Sequence, residues 1–251
     1  MKIVSINPKN PQSEIIAKAV KLLQQGGVVV HPTETCYGFA VDVFNQEALQ
    51  DLYVAKGRDF KKPVSMMVRN LDEAKKYAEF NEVALRLAER FWPGPVTLVL
   101  PKKVARKEDQ NFDEHVRQPL AEKTLPTFFN EGQVNVGVRC PDSEISQMLI
   151  AGFGGPLTTT SANLAGEPEA YTVADFLKQY KGALQESEKI ALVLDGGELG
   201  LSESGVSVSE SGAGVLKNPP STIIGFENGH AVILREGAKI SEVKEFLKNG
   251  S

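Results

Sequence analysis

Apolar positions recur along this chain with two different periods. After Ser13, residues Ile15, Ile16, Ala19, Val20, Leu22 and Leu23 keep helical spacing, with Lys18, Lys21 and Gln25 on the other face. Ser13 is the expected N-cap and Gly26-Gly27 the stop. Helical spacing also covers residues 46–55, 71–76, 81–90, 144–151, 173–178 and 241–248. Short apolar runs at 28–30, 64–68, 96–100, 134–138, 190–194, 221–224 and 230–234 read as strands, and residues 3–6 fit a strand or an extended lead. Strands that alternate with helices predict an α/β fold, and no linker or repeat divides it.

The first of these strands opens the stretch VVVHPTETCYGF. His31-Pro32 ends it, because proline lacks an N–H and biases its predecessor toward extended geometry. Thr33, Glu34 and Thr35 then place two hydroxyls and a carboxylate in a row; an edge strand with a hydroxyl-rich turn fits the same residues. The run from Lys56 to Pro63 holds four cations and one anion, a pattern of an anion-binding loop or of a solvated one. Arg139 closes a strand, where it faces a ligand or a salt-bridge partner. Thr158, Thr159, Thr160 and Ser161 precede Asn163, a set of uncharged groups suited to phosphate, ribose or a base edge. Trp92 reads as a core or hinge residue, and Thr97 leaves its turn toward solvent or ligand.

Composition narrows the function classes. Of 251 residues, 41% are hydrophobic and 24% charged, with a formal charge of -4. That balance argues against a protein that coats nucleic acid, while leaving room for a local basic cavity. Cys36 and Cys140 are too few for a disulfide framework or a cysteine-only zinc site. No secretion-signal core opens the chain and no stretch reaches a membrane span, so a reducing cytoplasm is expected. GxxxxGK[ST], the dinucleotide glycine fingerprint, HExxH and GxSxG are all absent, and His31, His115 and His230 stand far apart in sequence. Residues 101–133 read as a charged surface excursion with one or two short helices, a candidate lid. Residues 198–214 read as a flexible Ser/Gly loop.

Thr33, Lys56, Arg58, Arg139, Ser161, Asn163, Ser221 and Arg235 all lie at or near predicted element ends. Brought together, they would make a polar, cationic site for a polyphosphate and a carboxylate. HPTETCYG, AKGR, WPGPVTLVL, VGVRCPD, TTTSANLAG, LDGG, STII and LREGAKI stand in the order found in the YrdC/YciO-like domain family, which this chain resembles over most of its length.

The resemblance implies a twisted mixed sheet with flanking helices around a cationic cavity, in a single domain over 1–251 with surface insertions near 102–133 and 198–219. It implies L-threonylcarbamoyladenylate synthesis: ATP with Mg²⁺, L-threonine and bicarbonate give threonylcarbamoyl-AMP and pyrophosphate. The product would pass to threonylcarbamoyl transferase machinery for adenosine 37 of tRNA, with tRNA itself a contact. By motif position, Thr33 and Thr35 fall in the first substrate-facing block, and Lys56 and Arg58 in the catalytic basic pair. Thr97, Arg139, Ser161 and Asn163 fall at the nucleotide and substrate cavity, and Ser221 and Arg235 at its phosphate and nucleotide sides. No protein metal ligand and no general base is implied. Two departures stand out: Cys140-Pro141-Asp142 where the family's arginine block continues toward a histidine, and the length of both insertions. They leave open a YciO-like branch that binds RNA or the ribosome without catalysis, and a carbamoyl-nucleotide enzyme akin to the larger carbamoyltransferases.

Overall fold

Val28, Val29 and Val30 are each fully buried, yet Val28 and Val30 join one apolar cluster and Val29 another. Alternate side chains of this strand therefore pack on opposite faces of a sheet covered on both sides, which is why its sequence is a continuous apolar run. A computed structural model describes residues 1–103, 124–199 and 218–249. It contains strands β1 (Lys2–Ser5), β2 (Val28–His31), β3 (Gly38–Ala40), β4 (Ser65–Met67), β5 (Val96–Pro101), β6 (Asn135–Arg139), β7 (Leu157–Ser161), β8 (Ile190–Asp195), β9 (Thr222–Glu227) and β10 (His230–Arg235). They form one mixed sheet in the order β1-β8-β2-β3-β7-β4-β6-β5-β9-β10. β8 runs parallel to both β1 and β2, while β7 is antiparallel to both β3 and β4.

Helices α1 (Ser13–Gln24), α2 (Gln46–Ala55), α3 (Leu71–Tyr77), α4 (Glu82–Phe91), α5 (Glu144–Phe153), α6 (Val173–Tyr180), α7 (Leu184–Glu188) and α8 (Ile240–Asn249) flank the sheet. Ile16, Ala19 and Leu23 of α1 meet Ile145 and Leu149 of α5 over Val29, Met67 and Leu192. On the other face, Leu52 of α2, Leu87 of α4 and Phe176 of α6 pack in the cluster that holds Val30, Met66, Leu98 and Val193. Asn45, Asn70, Asn81, Ser143 and Thr172 cap their helices by accepting a backbone N–H.

Several expectations change. Ser13 is the first helical residue of α1; Gln12 occupies the N-cap without a side-chain bond there, its Oε1 instead accepting the Asn7 N–H. β2 is no edge strand, since β8 and β3 pair with its two sides. β3 and α7 went unforeseen. Trp92 takes a core role, half-buried with Nε1 donating to the Val96 carbonyl at 2.7 Å. Leu125 and Phe129 are buried as expected. The short helices and lid anticipated in 101–133 fall largely on residues 104–123, with Leu120 and His115. The flexible loop falls largely on 200–217. Both lie outside the described residues. Among the described residues no helix is long and apolar enough to cross a membrane.

Candidate active site

Pro32 ends β2, and the following turn is folded by the Thr33 hydroxyl. Thr33 Oγ1 accepts the N–H groups of Thr35 (3.1 Å) and Cys36 (3.3 Å) and donates to the Cys36 carbonyl at 2.7 Å. Its proton is thereby used, so the 3.0 Å contact with Thr35 Oγ1 has Thr35 as donor. Thr35 Oγ1 keeps its lone pairs for the Arg139 guanidinium, with both Nη atoms at 3.4 Å.

Arg139 ends β6 and is 5% exposed. Its Nη2 pairs with Glu34 Oε1 at 2.7 Å and its Nε donates to the Gly94 carbonyl at 3.3 Å. Glu34 Oε1 also accepts the Asp142 N–H at 2.9 Å. The two readings of Arg139 are thus joined: the side chain lines a cavity and is ion-paired.

A second polar chain crosses the opposite wall. Thr97 on β5 meets Ser221 across 3.1 Å between hydroxyls, and Arg235 Nη2 donates to Ser221 Oγ at 3.0 Å and to its carbonyl at 2.8 Å. Thr97 pairs in register with Ile223, so the β5–β9 ladder sets the side chain inward. Two glycines permit the approach. A Cβ on Gly137 would lie 2.3 Å from Ser65 Oγ, and one on Gly237 would lie 2.1 Å from the Pro220 carbonyl oxygen.

The third part is a buried lysine. Lys56, at the C-cap of α2, is 2% exposed, and its ammonium donates to the carbonyls of Ser161 and Asn163 and to Asn163 Oδ1. Asn163 Oδ1 also accepts the Ser161 hydroxyl, while its Nδ2 donates to the Leu164 and Glu167 carbonyls. Burial, with the neighbouring Arg58 charge adding to it, pushes the Lys56 ammonium down to about 7. Lys56 and Asn163 therefore stand behind Ser161 and fix where its hydroxyl points.

These parts enclose a cavity of about 180 Å³. Thr33, Thr35, Arg58, Thr97, Arg139, Ser161, Ser221 and Arg235 line it; Lys56 and Asn163 do not. Arg58 reaches the mouth from the loop after α2, held by the Pro63 carbonyl at 3.0 Å. Three guanidinium groups thus face one polar space, beside hydroxyls and the thiol of Cys36, which burial pushes up to about 11. Such a lining accepts several anionic oxygens at once.

Sequence reasoning passed over Glu34 as a site residue, although the carboxylate between two threonines was in view; nothing local reveals that its partner is Arg139. It also passed over Gly137, while Thr159, read as one of a run of hydroxyls, is placed at the cavity by its register opposite Ser65. Among the described residues, no group of three or more His, Cys, Asp and Glu side chains lies together to hold a metal ion.

The family model for Sua5, YciO and YrdC proteins, described as "Telomere recombination", matches residues 21–218. The threonylcarbamoyl-AMP synthase of Rattus norvegicus is 34% identical over 76% of this chain and 59% of its own length. YciO of Escherichia coli, named as uncharacterized, is 28% identical over 96% of this chain and 97% of its own. The crystal structure of Pyrococcus abyssi Sua5 complexed with L-threonine superposes with a TM-score of 0.75 at 27% identity, covering 98% of this chain and 60% of that one. The chain thus spans about three-fifths of the length of the rat and Pyrococcus proteins and nearly all of YciO.

Proposed function

This chain belongs to the Sua5/YciO/YrdC family, and from that premise we propose that it is a nucleotidyltransferase that makes threonylcarbamoyl-AMP and pyrophosphate from L-threonine, bicarbonate and ATP. The observation that carries the reading is the convergence of three guanidinium groups and a set of hydroxyls on one cavity. The reaction gathers a carboxylate, a carbamate and a triphosphate in one place, and that crowd of negative charge needs such a lining.

The threonine amine attacks the bicarbonate carbon, and loss of water leaves the carbamate. A carbamate oxygen then attacks the α-phosphorus of ATP, and the bond to the departing pyrophosphate breaks. Arg58, Arg139 and Arg235 offset the charge that accumulates on the phosphate oxygens. Thr33, Thr35, Thr97 and Ser221 orient them, and Lys56 acts with Asn163 through Ser161. Rate enhancement comes mainly from alignment and charge stabilisation, since the carbamate is already nucleophilic. Mg²⁺ enters on the phosphates of ATP as part of the substrate. The whole chain works as a single domain in the cytoplasm. Its product feeds a threonylcarbamoyl transferase that modifies adenosine 37 of tRNA.

The near full-length match to a protein named as uncharacterized leaves room for a second reading, a binding module that retains the cavity without turnover. Pyrophosphate release, measured with threonine and then bicarbonate omitted, separates the two. A synthase releases pyrophosphate only when both are present, whereas a binding module shows no dependence on either.

A further inference from the structure

We propose that Glu34 sets the net charge of the cavity: it holds Arg139 partly neutralised, so that a polyphosphate is bound loosely enough to leave. The proposal rests on the synthase reading, in which pyrophosphate must depart after each turnover.

Among the described residues, Arg139 alone of the three lining arginines has a carboxylate at ion-pair distance. The pair is nearly dry, with side-chain exposures of 6% for Arg139 and 18% for Glu34. In such surroundings a carboxylate's charge is screened little by solvent and acts on whatever anion enters. Arg139 does not need Glu34 merely to stay in place. The Gly94 carbonyl and the Thr35 hydroxyl already hold its Nε and Nη atoms.

Glu34 also uses only half of its bonding capacity. Oε1 carries both Arg139 and the Asp142 N–H, while Oε2 is buried without any hydrogen-bond partner. A neutral amide whose carbonyl oxygen took the place of Oε1 would keep both bonds. What the carboxylate adds over that amide is a negative charge directly behind Arg139, which lines a site built for anions. Of the three lining guanidinium groups one is ion-paired to Glu34, while the Glu169 carboxylate acts on Arg235 without a direct ion pair, so removing the Glu34 charge changes the balance at Arg139 alone.

The sign of the effect makes the test sharp. Damage to a binding site weakens binding, but removal of a repelling charge strengthens it. Titration calorimetry with inorganic pyrophosphate compares the unaltered protein with Glu34→Gln and Glu34→Asp. Glu34→Gln is expected to bind pyrophosphate on the order of tenfold tighter at low salt, with the gain shrinking as salt rises. Glu34→Asp keeps the charge and stays near the unaltered protein. In turnover, Glu34→Gln lowers the KM for ATP and kcat together and becomes more sensitive to pyrophosphate.

Equal or weaker pyrophosphate binding by folded Glu34→Gln overturns the proposal. If that variant does not fold, Arg139→Gln and the double Glu34→Gln/Arg139→Gln variant read the same charge. The double variant must bind pyrophosphate tighter than Arg139→Gln, and failure to do so also overturns the proposal. An unaltered protein that binds neither pyrophosphate nor ATP overturns the synthase reading itself, a result distinct from a wrong role for Glu34.

Discussion

Lowering the pH should charge His31 in the unfolded chain long before it does so in the folded one. His31 is fully buried at the end of β2. Its Nδ1 lies 3.2 Å from the Pro32 carbonyl and 3.4 Å from Ser146 Oγ, while Nε2 has no partner. The bond to Pro32 requires the proton on Nδ1, so protonation would place a second N–H where no acceptor waits. Burial accordingly pushes His31 down to about 4 from its ordinary 6.5. The Pro32 bond and the Glu34 charge work against that shift, and the Arg139 charge adds to it.

The folded state therefore resists the proton. Stability is unaffected above the unfolded pKa and falls as pH drops from 6.5 toward 4. At about 1.4 kcal/mol per unit, the full loss is about 3 kcal/mol, of which about 2 kcal/mol has appeared by pH ~5. Urea unfolding at pH ~7 and ~5 measures it, with His31→Asn as the reference that cannot titrate. The unaltered protein should lose about 2 kcal/mol more than His31→Asn between those two values. Equal losses would refute the reasoning, because they would mean that His31 takes up its proton as easily folded as unfolded.

Gly137→Ala should cost about 1–3 kcal/mol in urea unfolding and reduce ATP affinity, since its Cβ would fall 2.3 Å from Ser65 Oγ in the cavity wall. Lys56→Met and Arg58→Ala should part company: both abolish adenylate formation, but only Lys56→Met lowers the thermal midpoint. Lys56 supplies three buried hydrogen bonds, whereas Arg58 sits at the cavity mouth. Asn81→Ala should cost about 1 kcal/mol with kcat unchanged, because it removes only the cap of α4 and a surface bond to the Gly229 carbonyl.

The elements that could be read from the sequence are those whose burial writes a long local pattern. α2 shows its apolar face through Leu49, Leu52 and Tyr53, and its observed bounds match the expected ones. β3 has only three residues and lies between its chain neighbour β2 and β7, a strand that comes much later in the chain. α7 buries no side chain, so no periodicity marks it. The position of β2 inside the sheet was hidden for the same reason as β3, since its neighbour β8 arrives late in the chain.

The site divides along similar lines. Strand ends announced Arg139, Ser161 and Arg235, and the structure brings them to one cavity. The burial of Lys56 could not be read, because a Lys-Gly-Arg run looks solvated until the carbonyls of Ser161 and Asn163 are seen around it. Thr97 was ambiguous until its pairing with Ile223 fixed which way it points.

The proposed synthase must join a bicarbonate carbon, as a carbamate, to AMP. Purified protein incubated with ATP, Mg²⁺, L-threonine and ¹³C-bicarbonate, then analysed by mass spectrometry, tests it directly. The expected product is threonylcarbamoyl-AMP carrying the label, formed together with pyrophosphate. ATP left intact, or consumed without any labelled adenylate, would contradict it.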